Sequence, residues 1–314
     1  SYKNNKPTYY LINYVKQCIP GMYYQKKIKQ KINSKKHLSG IQKRVDYYNK
    51  LSNTTTLKDP IPLSDIKTIP GSKVYFFDLY QYSRYFNQKL KGVFLFGDIV
   101  HVPGQPTFVK SRPINDNNEN AVLLKWNELR HFMFIKKEQK TYLEKKDMLV
   151  SRGKVHKTQG HRIKFIEKYF NHPMCNIGRV NTNELNPLWK VARLTIDQQL
   201  DYKFILCLEG NDVASNLKWV MSSQSIAVMP EPKFETWFME GLLVADVHYI
   251  KIKDDYSDLE QRLTYFIENQ DKALHIIKNA NAYVQQFKDK KTEALISLLT
   301  LKKYFEKTDQ SQLL

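Results

Sequence analysis

The stretch KFILCLEGNDVASNLKW, residues 203–219, decides the fold. Five apolar residues, 204–208, form a run of strand length that ends at Glu209-Gly210; after a polar loop, apolar positions resume at helical spacing. A strand apolar on both faces suits a parallel sheet covered by helices on each side. The same alternation continues in both directions. Strand-like DMLVSRG (147–153) precedes a helix over 161–170, strand CNIGRV and helix TIDQQLDY. Beyond the opening stretch, whose helix is expected over 214–222, come strands SIAVMP and VHYIKI, helix DLEQRLTYFIEN, and helical segments over 272–287 and 292–307. Nearer the start, the spacing predicts a helix over 39–52 with Ser39 as its cap. KVYFFDL (73–79), YQYSRYFNQKL (80–90) and GVFLFGDIV (92–100) are expected as strand, helix and strand of one βαβ unit. NAVLLKWNEL (120–129) is expected as a helix and RHFMFI (130–135) as a strand. Strands alternating with helices in two successive blocks imply an α/β protein with one parallel sheet in each half. Ligands of such sheets bind beyond the carboxyl ends of the strands, so residues just after a strand are the first candidates.

The chain has 314 residues and a net charge of +19, with 42% hydrophobic and 13% aromatic residues. That is enough for two packed cores and excludes a disordered basic tail. No apolar run approaches the roughly 18 to 20 residues that span a bilayer. The three cysteines, Cys18, Cys175 and Cys207, form no CxxC pair or zinc pattern and are expected as reduced thiols of a cytoplasmic protein. No secretory signal is expected at the start. The charge is uneven: residues 1–50 hold twelve Lys/Arg, eight tyrosines and a single acid, Asp46, which leaves +11 there. Such a surface favours polyanions or anionic lipid headgroups. Nucleic acid is the competing polyanion, although no nucleic-acid module is recognisable; an ordinary solvated face is the third reading.

Three places carry candidate chemistry. Arg152-Gly153 closes a strand just ahead of a basic helix start, where a guanidinium beside a glycine could hold a pyrophosphate. In the opening stretch, Gly210 lets backbone approach a ligand closely, and the loop Asn211, Asp212, Ser215 and Asn216 leads to Lys218. This is a phosphate cradle without the P-loop pattern, or else a helix capped by Asp212 or Ser215. In the first half Asp98 ends an apolar run, with Lys110 and Arg112 following. A carboxylate there could act as a general base, or pair with Arg112 as a loop residue. No metal-ligand pattern is visible, and neither metal nor cofactor is expected.

FLFGDIVHVP, FVKSRPI, DMLVSRG, KFILCLEGNDVASNLKWVMSSQSIAVMP, and KFETWFMEG followed by VHYIKIKDDYSDLEQRL occur in this order. Together they resemble glycosyltransferase family 90, the lipopolysaccharide-core and capsule-associated enzymes to which the eukaryotic protein O-glucosyltransferases also belong. EGND and ETWFMEG are nearer the bacterial lipopolysaccharide branch. The resemblance runs from about 93 to 287. It implies a GT-B fold, two Rossmann-like domains with parallel sheets facing a central cleft: an acceptor-side domain over 1–140, a nucleotide-sugar domain over 141–287, and a C-terminal helix over 288–314 that could cross back. It further implies inverting, metal-independent transfer of a hexose from a UDP-sugar to a lipopolysaccharide or lipooligosaccharide core acceptor. Carried over by motif, Asp98 is the general base, and Arg152-Gly153, Lys218 and the 210–216 loop hold the diphosphate. Lys110 and Arg112 lie in the cleft, and Glu235 is a donor-side residue. The eukaryotic relatives carry arginine where this chain has Glu209. The expected partners are a UDP-sugar, an anionic glycolipid and, through residues 1–50, the membrane surface, with no nucleic acid. The expected location is peripheral, at the inner face of the cytoplasmic membrane. The alternative is a non-catalytic basic module binding nucleic acid or anionic lipid headgroups.

Overall fold

The computed structural model describes residues 5–33 and 39–314. Tyr2, Lys3, Lys35 and Lys36 of the basic start, and the side chain of the expected cap Ser39, lie outside the described residues. In chain order the first elements are α1 (Lys6–Gln17), α2 (Gly21–Gln25), α3 (Ile28–Asn33), α4 (Ser39–Tyr48), β1 (Ile61–Pro62) and α5 (Lys73–Ser83). Then come β2 (Lys91–Gly92), β3 (Phe94–Leu95), β4 (Thr107–Val109), β5 (Ser111–Pro113), β6 (Ala121–Leu123) and α6 (Glu128–His131). The middle of the chain holds β7 (Lys146–Gly153), α7 (Gly160–Tyr169), β8 (Cys175–Arg179), α8 (Ile196–Gln199), β9 (Tyr202–Leu206), α9 (Leu217–Met221) and β10 (Ile226–Met229). The last are β11 (Phe234–Thr236), β12 (Ile250–Lys251), α10 (Leu259–Glu268), α11 (Gln270–Gln285) and α12 (Lys290–Lys307).

The chain divides into two compact units, with one boundary at His131/Phe132. One unit contains Phe132–Pro232 and Leu242–Gln286. Its five-stranded sheet has the order β12-β10-β9-β7-β8 and is parallel throughout. Strand β9 is central and fully buried, which explains its unbroken apolar run. Leu149, Phe204, Val228 and Ile250 of the sheet pack with Phe165 and Ile166 of α7, Leu263 of α10 and Ile276 of α11.

The other unit contains the described residues up to His131, Lys233–Gly241 and Phe287–Leu314. Its largest sheet is the parallel trio β3-β4-β6; β1-β2 and β5-β11 are antiparallel pairs. Tyr75, Leu79, Phe94, Phe108, Val122 and Trp126 form its core with Leu298, Leu301, Tyr304 and Phe305 of α12. Helix α12 is tied to α4 by an Arg44–Glu293 ion pair of 2.6 Å and to the chain just after α4 by Asn49 Nδ2 donating to Thr300 O at 3.2 Å.

Several expectations of local structure fail in this unit. KVYFFDL begins a helix, α5, not a strand: Ser72 Oγ accepts from Val74 N at 3.4 Å, and the buried residues include Val74, Tyr75, Phe77, Asp78 and Leu79. A segment apolar on nearly every side has no period to separate helix from strand, and its aromatic content points the wrong way. There is accordingly no βαβ unit at 73–100. NAVLLKWNEL supplies strand β6 and then the short α6, because 121–126 are all buried and leave no polar face. RHFMFI is the end of α6 followed by irregular chain. In the sheet-bearing middle the expected elements form, with α9 shorter than 214–222.

Candidate functional site

In the five-stranded unit the carboxyl ends of β7 and β9 meet the start of α7. The residue at the centre is Arg162, one of the cations of the basic helix start after Arg152-Gly153, to which no role was given. Its Nε donates to Glu209 O at 2.8 Å, Nη1 to Lys154 O at 2.7 Å and Nη2 to Leu208 O at 2.8 Å. The half-exposed guanidinium therefore spans the loops after both strands. Gly153 and Gly210 lie against it at contact distance. A Cβ on Gly153 would stand 3.7 Å from Nη1, and one on Gly210 would stand 3.4 Å from Nη2. Gln159, just before α7, donates to Asn211 Oδ1 at 3.1 Å and accepts from His156 N at 3.1 Å, while His161 Nε2 lies 2.7 Å from Glu209 O. Gly153, Gly210 and Asn211 are thus brought together where a parallel sheet presents ligands. The signal that could have found Arg162 is its place in the first turn of the helix that follows an RG strand end.

The other donor-side candidates have contacts of their own. Arg152 is engaged by its neighbours: Nε donates to Ala192 O at 3.0 Å, Nη1 to Ser151 O and Asn176 O at 2.9 Å each, and Nη2 to Asn176 Oδ1 at 2.7 Å. Partial burial lowers its pKa. Lys218 is fully buried, with its ammonium 5.8 Å from the Phe132 ring centroid. Burial pushes the nearby Cys207 thiol up, and the Lys218 charge opposes that rise. Asp212 is buried, Ser215 is half-buried, and Asn216 Nδ2 donates to Leu206 O at 3.0 Å, so this part of the loop serves the strand end.

The acid candidate lies in the other unit. Asp98 follows Gly97, whose φ of +120° is a conformation that a side chain would strain. The Asp98 carboxylate is paired with the Lys110 ammonium; the lysine is 2% exposed and the aspartate 34%. Next to it, Ser111 Oγ accepts from Ile99 N at 3.1 Å and donates to Ile99 O at 3.0 Å. Two consecutive residues after β4 therefore hold the 98–99 backbone and the carboxylate in place. Ser111 was not singled out by sequence, because a lone serine carries no motif.

Glu235 is a buried residue. Expected on the donor side, it lies in the Asp98 unit on β11, paired through register with Arg112 on β5. Arg112 Nε donates to Glu235 Oε1 at 2.7 Å, Tyr47 OH donates to the second oxygen, and Arg112 also donates to Ala121 O and Tyr47 O. Both members of the pair are buried. The rest of ETWFMEG is equally structural. Trp237 stacks on Tyr48 with centroids 3.8 Å apart and donates to Glu293 at 2.8 Å, and Thr236 N donates to Glu240 at 2.6 Å. Arg112 consequently pairs with Glu235 and not with Asp98. Among the described residues no group of three His, Cys, Asp or Glu is placed to hold a metal ion.

The family model for glycosyl transferase family 90 matches residues 117–301. An O-glucosyltransferase LpsA of Dichelobacter nodosus is 42% identical over 269 residues, covering 85% of this chain and 83% of that protein. Uncharacterized protein 179R of Invertebrate iridescent virus 6 is 29% identical over 105 residues, 31% of this chain and 9% of its own length. With a family model matching more than half of the chain and a relative aligned over most of both lengths, this protein belongs to glycosyl transferase family 90.

Proposed function

We propose that this glycosyltransferase has the GT-B fold and moves a hexose, with inversion and without a metal ion, from a UDP-sugar to a lipopolysaccharide or lipooligosaccharide core hydroxyl. Family membership removes the alternative of a non-catalytic basic module. The observation that carries the reading is Asp98: an accessible carboxylate aimed by a buried lysine and preceded by a glycine-only backbone conformation. Asp98 takes the proton of the acceptor hydroxyl as that oxygen attacks the anomeric carbon, and the bond from that carbon to the β-phosphate oxygen breaks. The charge left on the UDP needs fixed donors. The ends of β7 and β9 supply glycine-lined backbone and the Arg162 guanidinium for it, and Asn211 is exposed beside them. Arg152 supports the same strand end from the β8 side. The name of the Dichelobacter relative makes UDP-glucose the first donor to test, and its LpsA designation agrees with a lipopolysaccharide acceptor.

The test is transfer from UDP-glucose to core oligosaccharide, with and without EDTA, by the parent and Asp98→Asn. The variant is expected to lose about 100-fold or more in rate while UDP binding persists. Full activity in the variant removes Asp98 from the mechanism, and loss of activity on chelation removes the metal-independent part of the reading.

A further inference from the structure

Helix α1 is docked with its aliphatic side outward. Its polar residue Asn13 is buried and donates to Tyr9 O at 2.9 Å, while Leu11, Ile12 and Val15 are 67%, 47% and 55% exposed. The orientation is set by the fold. Tyr9 OH donates to Asp78 Oδ1 at 2.5 Å, and Tyr10 and Tyr14 meet Phe77 edge to face at 5.6 and 5.2 Å. Beyond the turn at Pro20, Tyr24 is buried under the Arg84 guanidinium at 4.1 Å, and Met22 and Tyr23 project outward, Met22 at 66% exposure. Residues 11, 15 and 18 share one helical stripe, with Ile12 beside it. The outward face of α1 and α2 is thus aliphatic with two tyrosines at its margin.

The charge of this segment itself has one sign, the acids near it being Asp78 and Glu128 on the inner side at Tyr9 and Lys16. Residues 1–45 contain eleven Lys/Arg and no Asp or Glu, and Lys6, Lys26 and Lys27 are exposed beside the aliphatic residues. An apolar stripe on a segment that carries cations and tyrosines and no acid matches the layering of an anionic bilayer, with headgroup charge outside, an aromatic-compatible boundary, and acyl chain beneath. At 12 residues α1 is too short to span a membrane and the right kind of helix to lie in its surface. We propose that α1 and α2 form an interfacial membrane anchor. Leu11, Ile12, Val15 and Met22 enter the acyl boundary of an anionic bilayer, and the surrounding lysines contact its headgroups. A protein partner fits less well, since it would have to match the exposed Lys6, Lys26 and Lys27 with no counter-charge from this segment. The inference goes beyond the transfer chemistry and does not depend on it.

The experiment is co-sedimentation of the full chain with phosphatidylethanolamine vesicles containing about one quarter phosphatidylglycerol, without donor or acceptor. The parent is expected to bind. Leu11→Asp with Val15→Asp should lower the partition coefficient by about tenfold or more at both low and high salt. Lys6, Lys26 and Lys27 changed together to Gln should weaken binding at low salt and flatten its salt dependence. The milder Ile12→Ser, with circular dichroism and transfer to a soluble acceptor unchanged, guards against a folding effect. Failure of the parent to bind, or undiminished binding by the Asp double variant, overturns the proposal. A parent that is dimeric without lipid and becomes monomeric on Leu11→Asp overturns it in favour of a second copy of the chain. Loss of transfer with vesicle binding intact would count against the transferase reading alone.

Discussion

Lys110 places a buried ammonium against the carboxylate of Asp98, and the aspartate keeps a third of its side chain open to solvent. The asymmetry matters chemically. The lysine is buried, so in the proposed mechanism its work is to orient the acid. On that reading Lys110→Met is expected to lower kcat by up to about 100-fold through misplacement of Asp98, with the donor KM little changed. Gly97→Ala should act in the same direction, because φ of +120° strains any side chain there. Steady-state kinetics with the donor varied separates this from a loss of donor binding; a raised donor KM at constant kcat would contradict it.

Arg162 and Arg152 lie near the same strand end and should differ when removed. Arg162 spans the loops around Gly153 and Gly210, so Arg162→Ala is expected to weaken UDP binding by about tenfold or more, the range of a charged hydrogen bond. Arg152 is bonded to Asn176 and Ala192, so Arg152→Ala should lower the melting temperature and weaken UDP less. Calorimetry with UDP beside thermal melts of both variants decides the order, and the reverse ranking would return the diphosphate contact to Arg152.

The Arg112–Glu235 pair is buried and joins β5 to β11. Removing one partner leaves the other charged and dry, and Arg112→Met is expected to cost about 3–5 kcal/mol in urea unfolding. Gly241→Ala would drive a methyl to within 2.7 Å of Glu235 Oε2 and 2.9 Å of Tyr47 Oη, and should also destabilise. A Glu235→Gln variant that kept its stability but lost donor affinity would give Glu235 the expected donor-side role.

Asp78 provides a pH test. Burial first, and then the Glu128 carboxylate, push its pKa up to about 8, against the hydrogen bonds from Tyr9 and the Glu128 amide. The folded chain thus holds a proton there that the unfolded chain, with an ordinary carboxylate, releases near pH 4. Stability should therefore fall as pH rises from about 4 to about 8. Asp78→Asn should remove this part of the slope and melt higher than the parent near pH 8. The amide can keep both contacts, since Tyr9 OH also lies 3.4 Å from Val74 O. A parallel pH profile in the variant would show that Asp78 does not set the slope.

Local signals sufficed where burial is one-sided or a strand is central. β7 to β10 and α7, α10 and α11 stand close to where apolar runs and glycines put them, because a parallel sheet demands such runs and helices need a single apolar stripe. The same signals failed at 73–83 and 121–126, where residues are buried on several sides and no period survives. Motifs were legible as motifs but not as roles. ETWFMEG is one of the most distinctive words of the chain, and its glutamate, tryptophan and second glutamate are spent on Arg112, Tyr48 and Thr236.

From the sequence alone came the α/β class, the family, the acid at the end of an apolar run and the cationic, acid-free start, since each is written in residues adjacent along the chain. Tertiary structure decided which groups stand together. Lys110 is twelve positions from Asp98, Arg162 is forty-eight from Gly210, and Glu235 is 123 from Arg112. It also turned the aliphatic side of α1 outward, because Tyr9 found Asp78, and Tyr10 and Tyr14 found Phe77, on the inner side. Pairings of that range depend on how strands and helices pack, and spacing along the chain does not record them.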